Sequence, residues 1–245
     1  MCISYSASIN SFFINLLSSI CLILYGNSNL KSYNLIFGMF SIYTSLMQLV
    51  DLGIWNDLNC KIGTNKIASL LGPLLVYIQP LMIFIIAYIV INNTNSGKTL
   101  KRKGNILESS YPIFKNFSIS TSNFNLSKII NIIYGIVIIL ILYKYYTNKD
   151  IDITCSQLIN GNIKWKWFPM IHHLGFLYFS VLVINFISIN PTSSYIYTIM
   201  MIYSILLFIS YIWNKTHLGE IWCYTSNALP LLLLIIQKIF RNYLY

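Results

Sequence analysis

Residues 67–91 read IASLLGPLLVYIQPLMIFIIAYIVI, 25 positions without one charged side chain. A bilayer's hydrocarbon core is about 30 Å thick and takes roughly 20 apolar residues per helical crossing. This stretch is long enough to span it. Working outward, runs of the same kind occupy Ser6–Tyr25, Tyr33–Trp55, Ile129–Tyr145, Phe168–Ile189, Tyr195–Trp213 and Ile221–Phe240. Backbone polar groups in lipid must be satisfied within the segment or in a closed barrel. These runs are too long and too continuously apolar for the alternating strands of a barrel. The sequence therefore predicts an all-α fold: an integral membrane bundle of seven transmembrane helices, with the whole of 1–245 as one domain.

Composition points the same way. Only 9% of the residues are charged while 56% are hydrophobic, and a soluble domain of this size could not hide so much apolar surface. The net charge of +10 lies almost wholly between the apolar runs. In a soluble protein it would suggest nucleic acid; here retention of basic loops on one side of a membrane is the better reading. The expected partner is the lipid bilayer, with a small-molecule ligand possible and no nucleic acid. Oligomeric state is not set by the sequence. No basic region or small-residue cleavage site precedes the first run, which reads as an uncleaved signal-anchor.

Charges near the helix ends set the expected threading. Lys31, Lys98, Lys101, Arg102, Lys103, Lys115, Lys128, Lys238 and Arg241 fall on one side, against Lys61, Lys66, Lys144, Lys149, Lys164, Lys166 and Lys215 on the other. The Lys101–Lys103 cluster and Lys31 favour an N-terminus outside or lumenal and a C-terminus in the cytoplasm. Four of the five cysteines, Cys2, Cys60, Cys155 and Cys223, then lie on the outer side, where disulfides are permitted. They allow three connectivities, of which Cys60–Cys155, loop to loop, is the first choice. The sequons at Asn92, Asn116, Asn125 and Asn214 carry little weight in so Asn- and Ser-rich a chain.

Residues 92–127 are expected to form a mobile soluble loop, with a short interfacial helix around Tyr111–Phe117. The connection 147–165, with Asp150, Asp152, Cys155 and an Asn160-Gly161 turn signal, is expected to cap the outer face. Trp165 and Trp167 are expected as an interfacial aromatic anchor. Pro73 and Pro80 predict a kink beside Gln79. No internal repeat is evident.

Polar residues inside a membrane usually face the bundle interior. Ser4, Ser8, Ser11, Asn15 and Ser18 line one face of the first helix, a pattern that also suits close helix packing. Gln48, Asp51 and Trp55 share a face of the second, and Glu220, Cys223, Tyr224 and Asn227 a face of the seventh. His172 and His173 enter from the fifth, and Gln79 sits near mid-membrane. Convergence of these faces would make an outward-facing polar pocket lined by Ser4, Ser8, Gln48, Asp51, Trp55, Gln79, His172, His173, Glu220 and Asn227.

The opening Met1-Cys2-Ile3-Ser4 with Ala7-Ser8, and the segment Gln48-Leu49-Val50-Asp51-Leu52-Gly53-Ile54-Trp55, resemble an uncharacterised family of multi-pass membrane proteins of giant viruses and bacteria. The shared patterns are Met-Cys-x-Ser and Gln-x-x-(Asp/Glu)-x-x-(Ile/Val)-Trp, within about the first 60 residues. The resemblance implies a viral or bacterial multi-pass protein and adds Cys2 to the residues of interest. It carries no activity.

Several functional classes are disfavoured. A covalent retinal pigment needs a lysine midway along the last helix, and 221–237 has none. The signature segments of a G-protein-coupled receptor are missing from helices three and seven. An intramembrane zinc hydrolase using Asp51, His172, His173 and Glu220 (with His217 in reserve) is the sharpest enzyme alternative. It lacks the i, i+4 histidine pair of a helical zinc site. A channel or transporter is the other alternative, set against nearly pure apolar inner halves of helices three to seven. The expectation is a non-enzymatic protein, with no cofactor, that senses a ligand or handles a small solute.

Overall fold

A computed structural model describes residues 4–95, 101–103, 106–108, 118–148, 155–159, 162–165, 171–189, 199, 201–202, 205 and 227–239. The helices are α1 (Tyr5–Tyr25), α2 (Lys31–Trp55), α3 (Thr64–Asn95), α4 (Thr121–Thr147), α5 (Ile171–Ile189) and α6 (Leu229–Ile239). A single 3-10 turn, Ser28–Leu30, joins α1 to α2. Four of the helices, α1 to α4, are long and apolar enough to cross a membrane. The chain is a helical membrane protein.

Local chemistry sets the helix ends. Ser4 caps α1, its hydroxyl accepting from the Ala7 N–H at 3.2 Å, and Gly26 closes it by donating to the Leu22 carbonyl at 3.1 Å. The last helix begins at Leu229 rather than at Ile221 as expected, with Asn227 and Ala228 in a turn before it. Pro230 explains the start, because proline lacks an amide donor and is tolerated in the first turn of a helix. Residues 221–226 lie outside the described residues. So does most of the sixth expected crossing, although Ile199, Met201, Ile202 and Ile205 are helical.

The segment expected as a loop between the third and fourth crossings is shorter than the sequence suggested. Helix α3 runs on to Asn95 and α4 starts at Thr121. Between them β1 (Lys101–Lys103), β2 (Ile106–Glu108) and β3 (Ser118–Ser120) pair antiparallel in that order. The helix expected at Tyr111–Phe117 lies outside the described residues. A second hairpin, β4 (Gln157–Ile159) and β5 (Asn162–Lys164), pairs Ile159 with Asn162, and the expected Asn160-Gly161 turn lies outside the described residues.

The layout is two close helix pairs built around α2 and α3. Gly38 lets α1 and α2 touch: a Cβ there would lie 2.5 Å from the Ile23 side chain and 3.1 Å from the Ser19 carbonyl. Gly53 does the same for α2 and α3, against the Ala68 methyl at 3.0 Å. Small residues at such seams let backbones approach, the main attraction available to helices in lipid. Helix α3 also packs on α4 and α5, while α6 packs on α1 and α2.

Helix α3 passes unbroken through Pro73 and Pro80. Four carbonyls around the prolines accept side-chain bonds from neighbouring helices: Leu75 from the Tyr43 hydroxyl (3.1 Å), Leu70 from Tyr146 (2.5 Å), Tyr77 from Tyr134 (2.9 Å) and Pro80 from the Asn185 amide (2.7 Å). These bonds tie α3 to α2, α4 and α5 around the prolines, whereas the carbonyls that the prolines leave without an amide donor are those of Ser69 and Val76.

The outward faces are apolar. Ile129, Ile132, Ile133, Ile136, Ile139, Leu140 and Tyr143 of α4 are 55–69% exposed. A row of that length would be costly in water and is at home against acyl chains.

Candidate functional site

Asp51 is fully buried on the inner face of α2, one turn before the helix ends. An ionised carboxylate in that position needs charge-matched or hydrogen-bonding company. Its partner comes from outside the spanning helices: the Trp165 indole Nε1, just after β5, donates to Asp51 Oδ1 at 3.1 Å. Trp165 is 1% exposed and packs with Ile163, Met47, Val50, Ile54, Ala68 and Tyr145. The expected interfacial anchor at Trp165 is thus a buried plug instead, drawn inward by a carboxylate acceptor and an apolar seat. Trp167 lies outside the described residues.

The hairpin carrying Trp165 is fastened at its base. Cys60, in the α2–α3 turn, and Cys155 form a disulfide with Cα atoms 5.8 Å apart, the pairing favoured from the sequence. Cys2 and Cys223 lie outside the described residues, and among those described the free cysteine is Cys21. Beside the disulfide, the Ser156 N–H donates to Asn65 Oδ1 (2.9 Å) and Asn65 Nδ2 donates to the Ser156 carbonyl (2.9 Å). The Ser156 and Ser69 hydroxyls lie 2.7 Å apart, and Ser69 also donates to Asn65 Oδ1 at 3.0 Å. Asn65, Ser69 and Ser156 are all buried.

Asp57 holds the receiving turn in shape. Its carboxylate accepts the N–H groups of Lys61 (2.7 Å), Ile62 (3.1 Å), Gly63 (2.8 Å) and Asn65 (3.3 Å). Gly63 and Asn65 stand at the start of α3, where orphan amide donors favour negative charge, and Lys61 and Ile62 belong to the turn before it. Burial pushes the Asp57 carboxyl up, but the four N–H groups together outweigh it and hold it below the ordinary carboxylate range. Cys60 (φ 55°) and Gly63 (φ 95°) take the left-handed conformations that let the turn close around the carboxylate.

Other expected pocket residues meet different partners. Gln48 is fully buried on α2 one turn from Asp51, and Trp55 is half-buried against the cluster that seats Trp165. Gln79 accepts from the Tyr178 hydroxyl of α5. Asn227 Oδ1 accepts from Asn15 Nδ2 at 2.6 Å, tying the turn before α6 to α1. Ser4 is an exposed helix cap, and Ser8 donates to its carbonyl at 3.3 Å. Ser8, Ser11, Asn15 and Ser18 form a buried stripe along α1. His172 and His173 are helical in α5, whereas Glu220 and His217 lie outside the described residues. No group of three or more metal-ligating side chains occurs among the described residues.

Sequence reading missed a second polar centre. Asn131 of α4 and Asn185 of α5 exchange bonds (Nδ2 to Oδ1, 2.6 and 3.1 Å), Ser127 donates to Asn185 at 2.7 Å, and Asn185 reaches the Pro80 carbonyl. The available signal was a lone asparagine in each of two isoleucine-rich runs. Also missed were the Tyr77 and Tyr145 hydroxyls, which, like the Nε1 of the expected pocket residue Trp55, are buried with no hydrogen-bond partner among the described residues. Such groups are uncommon in native interiors.

No protein-family model, curated protein or solved structure matches the chain.

Proposed function

We propose that this chain is a seven-crossing, non-enzymatic membrane protein that recognises a small polar solute at its outward end, beneath the disulfide-fastened hairpin. The observation that carries the reading is the Asp51–Trp165 bond. A buried carboxylate under a removable extramembrane side chain suits a solute with hydrogen-bond donors or positive charge. The Trp55 Nε1 and Tyr145 hydroxyl beside the same apolar seat, without a partner among the described residues, add donors that such a solute would satisfy. The closed state is then the one in which Trp165 occupies the acceptor. In this reading the N-terminus and the hairpin face the outer or lumenal side, in keeping with the disulfide. It also agrees with the multi-pass viral and bacterial family that the α1 start and the α2 segment resemble.

Thermal unfolding of the purified protein with a panel of amines, amino acids, sugars and nucleosides tests the proposal. A solute that stabilises the wild type but not Asp51→Asn supports it. Equal shifts in both proteins, or none across the panel, would refute it. Ion flux into liposomes that is abolished in Asp51→Asn would instead make the protein a channel.

A further inference from the structure

At the end of the bundle away from the disulfide, a cavity of about 240 Å³ opens between the α1–α2 turn and the last turn of α6. Helix α2, of 25 residues, separates its two ends by about 37 Å at 1.5 Å per residue, so this cavity and the Trp165 plug belong to opposite leaflets. Tyr25, Asn27 and Ser28 form one wall; Leu234, Gln237 and Lys238 form the other.

The floor is rigid and its acceptors are occupied. Gln237, 3% exposed, takes the Asn27 N–H on Oε1 (2.8 Å) and donates from Nε2 to Asn34 Oδ1 (2.7 Å). The Asn27 carbonyl accepts from the Leu30 N–H and from Asn34 Nδ2, and the Leu22 carbonyl accepts from Gly26. Among the residues lining the cavity, Lys238 is the one with a charged side chain. Neither 25–31 nor 229–245 contains an acidic residue, while Lys31 and Arg241 add positive charge to the same two segments. On the bilayer side the cavity is flanked by Leu24, Tyr25 and Ile239, which are 65–69% exposed. A site with a cationic, hydroxyl-bearing mouth and an apolar flank fits a phosphate at the end of acyl chains.

We propose that this cavity binds a phosphate group, presented by an anionic phospholipid of the adjoining leaflet. The lipid would seat its phosphate against Lys238 and Ser28 and lay its chains beside α1 and α6. The site stands independently of the solute reading at the other leaflet.

The test compares retention of phosphatidylglycerol and phosphatidylcholine by the purified full chain, read by native mass spectrometry, with and without inorganic phosphate. Wild type should retain the anionic lipid about fivefold better, the size expected for one basic contact near a membrane surface. Lys238→Gln should abolish that preference, Lys238→Arg should keep it, and Lys66→Gln at the opposite end should leave it unchanged. No preference in wild type, or one that survives Lys238→Gln or falls equally in Lys66→Gln, overturns the site. Displacement by inorganic phosphate, or Lys238-dependent stabilisation by phosphate without any lipid preference, overturns the lipid as its source.

Discussion

Trp165 reaches across 114 residues of sequence to donate its indole N–H to Asp51, joining an extramembrane hairpin to a carboxylate buried in α2. The contact combines a hydrogen bond to a charged acceptor with burial of Trp165, the largest fully buried side chain among the described residues. Both parts can be separated by mutation.

Trp165→Ala should cost about 3–5 kcal/mol, the range for emptying a large aromatic site. Trp165→Phe fills most of the space but removes the indole donor to Asp51, for a loss of about 1.5–3 kcal/mol, the range for a hydrogen bond to a charged group. Chemical unfolding in detergent micelles measures both. If Trp165→Phe loses nothing, the bond to Asp51 contributes nothing beyond the packing of the ring; if it loses as much as Trp165→Ala, the ring contributes nothing beyond the bond.

Cys60→Ser with Cys155→Ser should lower stability by about 2–4 kcal/mol through loss of a long cross-link. The hairpin should nonetheless stay docked, because Asn65 and Ser156 exchange two hydrogen bonds independently of the sulfurs. Hydrogen exchange at Ile163 provides the measurement. Protection of this amide is expected in the double variant, and Asn65→Ala added to it should remove that protection.

Asp57 should make stability pH-dependent. Its folded carboxyl lies below the ordinary value, so its stabilisation is complete above the unfolded pKa and is lost as pH falls through the folded one. Melting temperatures between pH 7 and pH 2 should fall at the acid end in wild type and fall less in Asp57→Asn. Parallel curves would assign the acid loss to other carboxylates.

Asn185→Leu should destabilise by about 0.6–1.7 kcal/mol, the span of polar contacts measured between membrane helices. The double variant with Asn131→Leu should cost little more, since the two amides serve one another. Additive losses in a double-mutant cycle would contradict a shared network.

Tyr145→Phe removes a buried hydroxyl that has no partner among the described residues. Stability should be unchanged or slightly higher, because the desolvated group is deleted with its cost. A solute that protects wild type should protect this variant less. A marked loss of stability without any solute would show that the hydroxyl has a structural partner.

Residue patterns in the sequence carry the helical membrane class, the extents of α1 and α2 to within a few residues, and the Cys60–Cys155 bridge. Those features depend on local hydropathy and on which loops share a side. The partners of Asp51 were not legible: an i, i+3 face on α2 says that Gln48 and Asp51 look inward, but not that a tryptophan over 100 residues away will fold back onto them. Trp165 read as an anchor because its neighbours Lys164, Lys166 and Trp167 suit an interface. Asn131 and Asn185 escaped notice because each is a single polar position whose meaning exists only when α4 and α5 meet. The start of α6 was misplaced for a local reason that was available: Pro230 fits the opening turn of a helix better than its middle.

The bonds around the two prolines of α3 give the chain an order of biogenesis. Because α4 and α5 follow α3 in the chain, the carbonyls of Tyr77, Leu70 and Pro80 can meet Tyr134, Tyr146 and Asn185 only after those helices are made, whereas Tyr43 of α2 precedes the Leu75 carbonyl it bonds. Maturation of that hub must wait for the downstream helices to be synthesised.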